Sequence, residues 1–229
     1  MKTRLFIYAG IALVLMAAYI GRALTRKTVE ERVKQFGPAA RARLEPHFKK
    51  VAVAYPPTKV TLVGIKDERR LEVFAAGGDG KLKLVRDYRV LGASGELGPK
   101  LREGDRQVPE GIYPIESLNP NSRFHLALRV GYPNAFDRAK GKLDGRTQLG
   151  GDIMIHGNSV SIGCLAMGDE AAEDLFVLAA DTGLKRITVI LTPVDFRRGK
   201  TEPTGTHLPA WATELYGQIK SSLAAVPTP

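Results

Sequence analysis

His156 and Cys164 lie eight positions apart in the stretch 153–164, IMIHGNSVSIGC, which holds the only cysteine of the chain and one of its four histidines. A thiol attacks a carbonyl as thiolate, and a neighbouring imidazole is the usual group to take its proton. Gly163 precedes the thiol, and Ser161 sits two residues before Gly163. Small residues here let a substrate approach the backbone and free the amides of Gly163 and Cys164 to point at it. Two such amides suit the oxyanion of an acyl transfer. A lone cysteine in a β domain is more often a small buried hydrophobe; its company shifts the balance toward a nucleophile.

The flanking elements must bring the pair together. DIMIH and VSIGC read as two short strands with GNS as the turn of a hairpin, which sets His156 and Cys164 at related heights, about 5 Å apart across the strands. A third group should orient the imidazole. Asp152 is four residues back, roughly 13 Å along a strand, so Asn158 or a backbone carbonyl is the better candidate. One cysteine and one nearby histidine do not complete a four-ligand zinc site. No metal and no cofactor are expected.

Short apolar runs bounded by turn residues continue on both sides. KVTLVGI and RRLEVFA, separated by KDE, predict a hairpin. KLKLVRDYRV, GIYPIESL, SRFHLALRV and RITVILTPV read as further strands. Residues 169–180 predict a helix with an acidic first turn, and PAWATELYGQIKSSL a closing helix. Residues 28–53 carry an apolar stripe at helical spacing, with a break or kink expected at Gly37-Pro38. The sum is an α+β chain, mostly β with a few helices. The expected divisions are residues 1–27 as an N-terminal signal or membrane anchor, 28–57 as a helical connector that holds the next unit off the membrane, and 58–225 as the catalytic domain.

The anchor rests on residues 5–21, 17 uncharged residues flanked by Lys2 and Arg4 before and Arg22, Arg26 and Lys27 after. As a helix they span about 25 Å, enough for a bilayer core if the arginines snorkel. Export with a retained anchor in the inner membrane, facing the periplasm, is expected over cleavage. The formal net charge is +10. Lysines and arginines are scattered, without a run of five and without interleaved aromatics, so no nucleic-acid partner is expected.

IMIHG followed by SIGCLAM resembles the L,D-transpeptidase catalytic-domain family, also called YkuD-like, and VPEGIYPI resembles the TPxGxF strand of that family. The resemblance covers about residues 58–195. It implies a β-sandwich or barrel catalytic domain and a cysteine enzyme of the cell wall acting on peptidoglycan stem peptides. Cys164 would attack the amide after meso-diaminopimelate and form a thioester, which an amine or water resolves. The resemblance makes His156 the base and the amides of Gly163 and Cys164 the oxyanion donors.

Three features depart from the family pattern. The loop between His156 and Cys164 is short. Ile162 stands where a second histidine is usual, and Ala166 where an arginine follows the cysteine by two. The short loop, GCLAM and LNPNSRFHLALRVGYPNAFDRA together resemble a distinct murein-acting branch, some members of which are hydrolases that release covalently bound lipoprotein from peptidoglycan. Ala166 leaves space in the pocket on this reading. Replacement contacts to substrate carboxylates are expected from His125, Arg129, Tyr132 and Arg138, with Ser161 beside the substrate; arginine suits planar bidentate recognition. The rival readings are a non-catalytic wall-binding module on the same fold and a cytosolic thiol hydrolase whose N-terminal stretch is core.

Overall fold

The computed structural model describes residues 26–229, and the expected anchor lies outside the described residues. Helix α1 spans Val29–Lys50. Three strands follow, β1 (Lys59–Ile65), β2 (Arg70–Ala76) and β3 (Leu82–Arg89). Next come the long β4 (Gly111–Ser122), β5 (His125–Val130) and α2 (Ala135–Leu143). The short β6 (Met154–His156) and β7 (Leu165–Ala166) precede α3 (Asp169–Thr182), β8 (Ile187–Thr192) and α4 (Ala212–Leu223).

The strands form one sheet in the order β3-β2-β1-β8-β4-β5-β6-β7. β1 and β2 make the expected hairpin, pairing from Lys59↔Ala76 to Ile65↔Arg70. β8 lies parallel to β1 and antiparallel to β4. The sheet curls until its ends meet: Gly92, just after β3, bridges Ala166 of β7 through Leu91 N→Ala166 O at 2.8 Å and Ala166 N→Gly92 O at 2.8 Å. Closure of this kind leaves no free edge beside the site. Leu62, Leu71, Val73, Leu126, Leu128, Ile155 and Leu165 point into one core, with Leu44 and Phe48 of α1 and Leu175, Phe176 and Leu178 of α3. Val63, Ile65, Phe74 and Ile190 point the other way, onto Trp211, Leu215, Tyr216 and Ile219 in and before α4. This alternation is the two-residue period of a strand covered on both sides.

The α+β class holds, with four helices of 22, 9, 14 and 12 residues beside the sheet among the described residues. One expectation changes here. The expected break at Gly37-Pro38 is absent, and α1 runs on through Pro38 and Pro46. Tertiary contacts outweigh the lost backbone hydrogen bonds. Ala40, Leu44 and Phe48 are buried, Arg41 grips Asp181 of α3 with two 2.8 Å bonds, and Arg43 Nε reaches Asp174 at 2.7 Å. The helix expected to be a spacer is therefore packed onto the domain.

Candidate active site

β6 and β7 pair in parallel, Ile155 with Leu165 and His156 with Ala166. The expected hairpin is therefore corrected. Cys164 ends a loop and does not lie on a strand, because residues 157–164 must carry the chain back to the start of the strand before β7 can run alongside β6. The parallel register still does what the chemistry needs. Arg129 of β5 pairs with Met154, and one step before Leu165 comes Cys164. Arg129 of β5 and Met154 of β6 thus form one row, which Cys164, the residue just ahead of β7, continues. Ala127, His156 and Ala166 form the next row on the same face. Their neighbours Leu128, Ile155 and Leu165 are turned into the core. The imidazole and the thiol share the outward face.

The thiol lies in a cradle of backbone groups. Sγ accepts from Met154 N at 3.4 Å and donates to Asp152 O at 3.7 Å. Burial pushes the Cys164 thiol above its ordinary pKa; the Met154 amide pulls it down, the Asp152 charge pushes it up, and the Lys100 ammonium pulls it down. Burial likewise holds His156 below the usual histidine value, against the upward pull of the Gly157 carbonyl. The resting pair is thus a neutral thiol and a neutral imidazole, the state in which histidine can accept a proton. No hydrogen bond joins the two among the described residues. Gly157 O lies 2.5 Å from His156 Nδ1 and orients the imidazole, and Nε2 makes no hydrogen bond among the described residues. Phe124 stacks on the imidazole at 4.8 Å and 26°. Gly157 is required by close approach: a Cβ there would meet the Asp169 carboxylate at 2.5 Å and Phe124 O at 2.9 Å.

The two expected oxyanion amides do converge, but they are not free. Both reach one oxygen, Ser161 Oγ, Cys164 N at 2.9 Å and Gly163 N at 3.3 Å, and the hydroxyl donates to Cys164 O at 2.6 Å. Ser161 therefore folds the loop instead of standing free for a substrate. Gly163 adopts φ +120, a conformation open to glycine, and this turns its amide onto the same point as that of Cys164.

The other expected contacts separate. Arg129 lies on the site face, with Nη1 2.9 Å from Asp152 and Nε 3.2 Å from Glu116. His125 is committed elsewhere, with Nε2 2.9 Å from Glu173 of α3 and its ring edge-on to Phe36 of α1. Tyr132 is buried, and its hydroxyl donates to Lys100 O and Leu149 O, so it is not placed to meet a ligand. Arg138 is exposed on α2. Ala166 opens no pocket: it is fully buried, and the Leu91–Gly92 backbone covers it. Sequence reasoning missed Phe124, Lys100 and the Arg129–Asp152 pair. Among the described residues, four of the five exposed large hydrophobics lie beside the site: Phe124 stacks on His156, Val160 and Ile162 belong to the loop before Cys164, and Leu91 bonds Ala166. Among the described residues no cluster of three or more His, Cys, Asp or Glu is arranged to hold a metal.

The model of the L,D-transpeptidase catalytic domain, YkuD, matches residues 58–194. The chain belongs to this family. The match takes in every strand of the sheet, together with His156 and Cys164. YafK of Escherichia coli (strain K12), which carries a provisional L,D-transpeptidase name, is 41% identical over 113 residues. Those residues are 48% of this chain and 43% of YafK, so the chain spans less than half the length of that relative. Among solved structures, Pgp2 from Campylobacter jejuni, described as a helical cell shape determining protein, is similar with a TM-score of 0.50 at 23% identity. The similarity covers 66% of this chain and 52% of Pgp2 and is one of fold.

Proposed function

We propose that this L,D-transpeptidase-family domain is an exported cysteine enzyme acting on peptidoglycan stem peptides. Cys164 Sγ attacks the carbonyl of diaminopimelate, the carbon–nitrogen bond breaks, and a thioester forms. His156 Nε2 takes the thiol proton and returns it to the leaving amine. An incoming amine or water, relieved of its proton by His156, then releases the thioester and regenerates the thiol. The observation that carries this reading is the shared sheet face of His156 and Cys164 beside two amides that converge on a single oxygen. A substrate carbonyl oxygen would take over those amides from Ser161 Oγ. Arg129, in the row of Cys164 and about 10 Å away by strand spacing, is the cation for a substrate carboxylate. Residues 5–21 anchor the protein in the inner membrane on this reading.

A second reading is hydrolysis that releases a protein joined to diaminopimelate. The apolar rim of Leu91, Phe124, Val160 and Ile162 favours it, because glycan strands and stem peptides offer it little apolar surface whereas a protein does. One experiment tests both. Full-length protein is incubated with disaccharide-tetrapeptide muropeptides and, separately, with sacculi carrying covalently bound lipoprotein, and the intact mass of the enzyme is followed. An acyl adduct on Cys164 with dimeric muropeptides as product marks transfer; soluble lipoprotein without dimers marks hydrolysis. Neither adduct nor product in either arm would leave the non-catalytic wall-binding module.

A further inference from the structure

Asp152 is the charged group nearest the thiol that this mechanism does not use. Its backbone carbonyl takes the Cys164 thiol at 3.7 Å, while its carboxylate turns away to Arg129 Nη1 at 2.9 Å. The residue adopts φ +54, the left-handed region that aspartate tolerates better than most side chains but that still costs energy. The pair is open to water, with side-chain exposures of 41% for Arg129 and 76% for Asp152.

We propose that in the resting enzyme the Asp152 carboxylate occupies the place on Arg129 that the side-chain carboxylate of diaminopimelate takes when substrate binds. The inference rests on the peptidoglycan reading above. Diaminopimelate carries that carboxylate several bonds from the scissile carbonyl, and Arg129 lies in the row of Cys164 at a matching remove. One carboxylate replaces another on the same guanidinium, so no buried charge is left unpaired at any stage. An exposed pair of this kind is weak, and the outward-facing Asp152 can swing into solvent without disturbing its backbone carbonyl. The bound substrate therefore evicts an internal competitor. The competitor keeps Arg129 oriented when the site is empty and narrows the preference for stems that carry a free carboxylate over amidated ones.

The test is the KM of full-length enzyme for a disaccharide-tetrapeptide muropeptide with its diaminopimelate carboxylate free and for the same compound amidated there. Asp152→Asn keeps the shape and removes the competing charge. It should lower KM about two- to fivefold for the free acid, the range expected for an exposed pair, and leave KM for the amide unchanged. Arg129→Ala should raise KM for the free acid and abolish the gain from Asp152→Asn. Glu116→Gln, which removes a like charge at Nε, should change KM less than Asp152→Asn. A raised or unchanged KM in Asp152→Asn overturns the proposal while wild-type turnover keeps the peptidoglycan reading. So does an equal effect on the amide, or an equal effect of Glu116→Gln. Absence of wild-type turnover on both compounds overturns the reading and the proposal together.

Discussion

The helical side of the molecule and the loop that carries the thiol are built to opposite standards. On the helical side, Asp174 is fully buried and accepts from Arg43 at 2.7 Å, Arg86 at 3.1 Å and Tyr88 at 3.0 Å. Asp181 accepts from Arg41 and from Tyr55 at 2.7 Å. These bonds tie α1, β3 and α3 across long sequence separations. Around the thiol, β6 has three residues and β7 two. The loop between them exposes Val160 at 60% and Ile162 at 74%. Catalytic groups need room for a substrate, and a face without room can be locked by charge and packing instead. On the proposed reading the difference keeps stability and chemistry apart, so that substitutions on one side should leave the other working.

The sharpest break in that comparison is Cys164→Ala. Activity should fall on the order of a million-fold, as for loss of other covalent nucleophiles, with the melting temperature close to wild type. Intact mass after incubation with muropeptide reads the first and circular dichroism the second; turnover surviving in the variant would exclude a thioester. Next, His156→Ala should slow acylation about 10²- to 10⁴-fold, the range for a general base. His125→Ala should do the reverse, costing melting temperature through Glu173 and Phe36 while acylation stays within a few-fold. If the two histidines exchanged these behaviours, the base would be misassigned.

On the helical side, Asp174→Ala leaves the Arg86 guanidinium and the Tyr88 phenol without their carboxylate and takes one of two close carboxylates from Arg43. It should destabilise by about 3–5 kcal/mol, the usual cost of breaking a buried charge cluster, measured by urea unfolding. The kcat of the fraction still folded should stay near wild type, and a collapse of kcat at full foldedness would refute the separation of the two sides. A smaller effect belongs to Asp137, which caps α2 through Asn134 and is pushed by burial from the ordinary 3.8 up to about 6. A carboxyl whose folded value is raised stabilises the fold when protonated, and that share is lost as pH rises from about 4 through 6. It amounts to at most about 3 kcal/mol. Asp137→Asn should therefore gain on wild type across that window; identical pH profiles of stability would rule it out. Ser161→Ala should be the mildest, changing acylation by muropeptide by less than about tenfold, since it removes one neutral acceptor from two amides; a loss as large as that of His156→Ala would give Ser161 a part in catalysis.

Much of this was legible in the residues. Alternating or bounded apolar runs place β1, β2, β5 and β8, and an acidic first turn opens α3. Helix α2 was missed, although Asn134 and Asp137 form a capping box, a spacing that marks a helix start. Strand direction is another matter. Period-two alternation is the same in parallel and antiparallel pairs, so nothing in DIMIH and VSIGC could tell a hairpin from the parallel pair observed. The thiol and imidazole stand out as candidates because residue type alone marks the chemistry they could do. The meeting of Arg129 with Asp152, and the diversion of His125 to Glu173, depend on which strands and helices become neighbours, and no local pattern records that.

Helix α1 lies before residue 58, where the match to the family begins, yet Leu44 and Phe48 belong to the same core as β1 and α3. The portion that can be recognised and the portion that holds together have different borders. A recombinant piece trimmed to the recognisable border would leave Asp174 and Asp181 without Arg43 and Arg41, and would bare the flank of α3. In a gene fusion or a swap between relatives, the cargo must include its own clasp: the transferable module starts at the Thr28 cap of α1, thirty residues ahead of the kinship it displays.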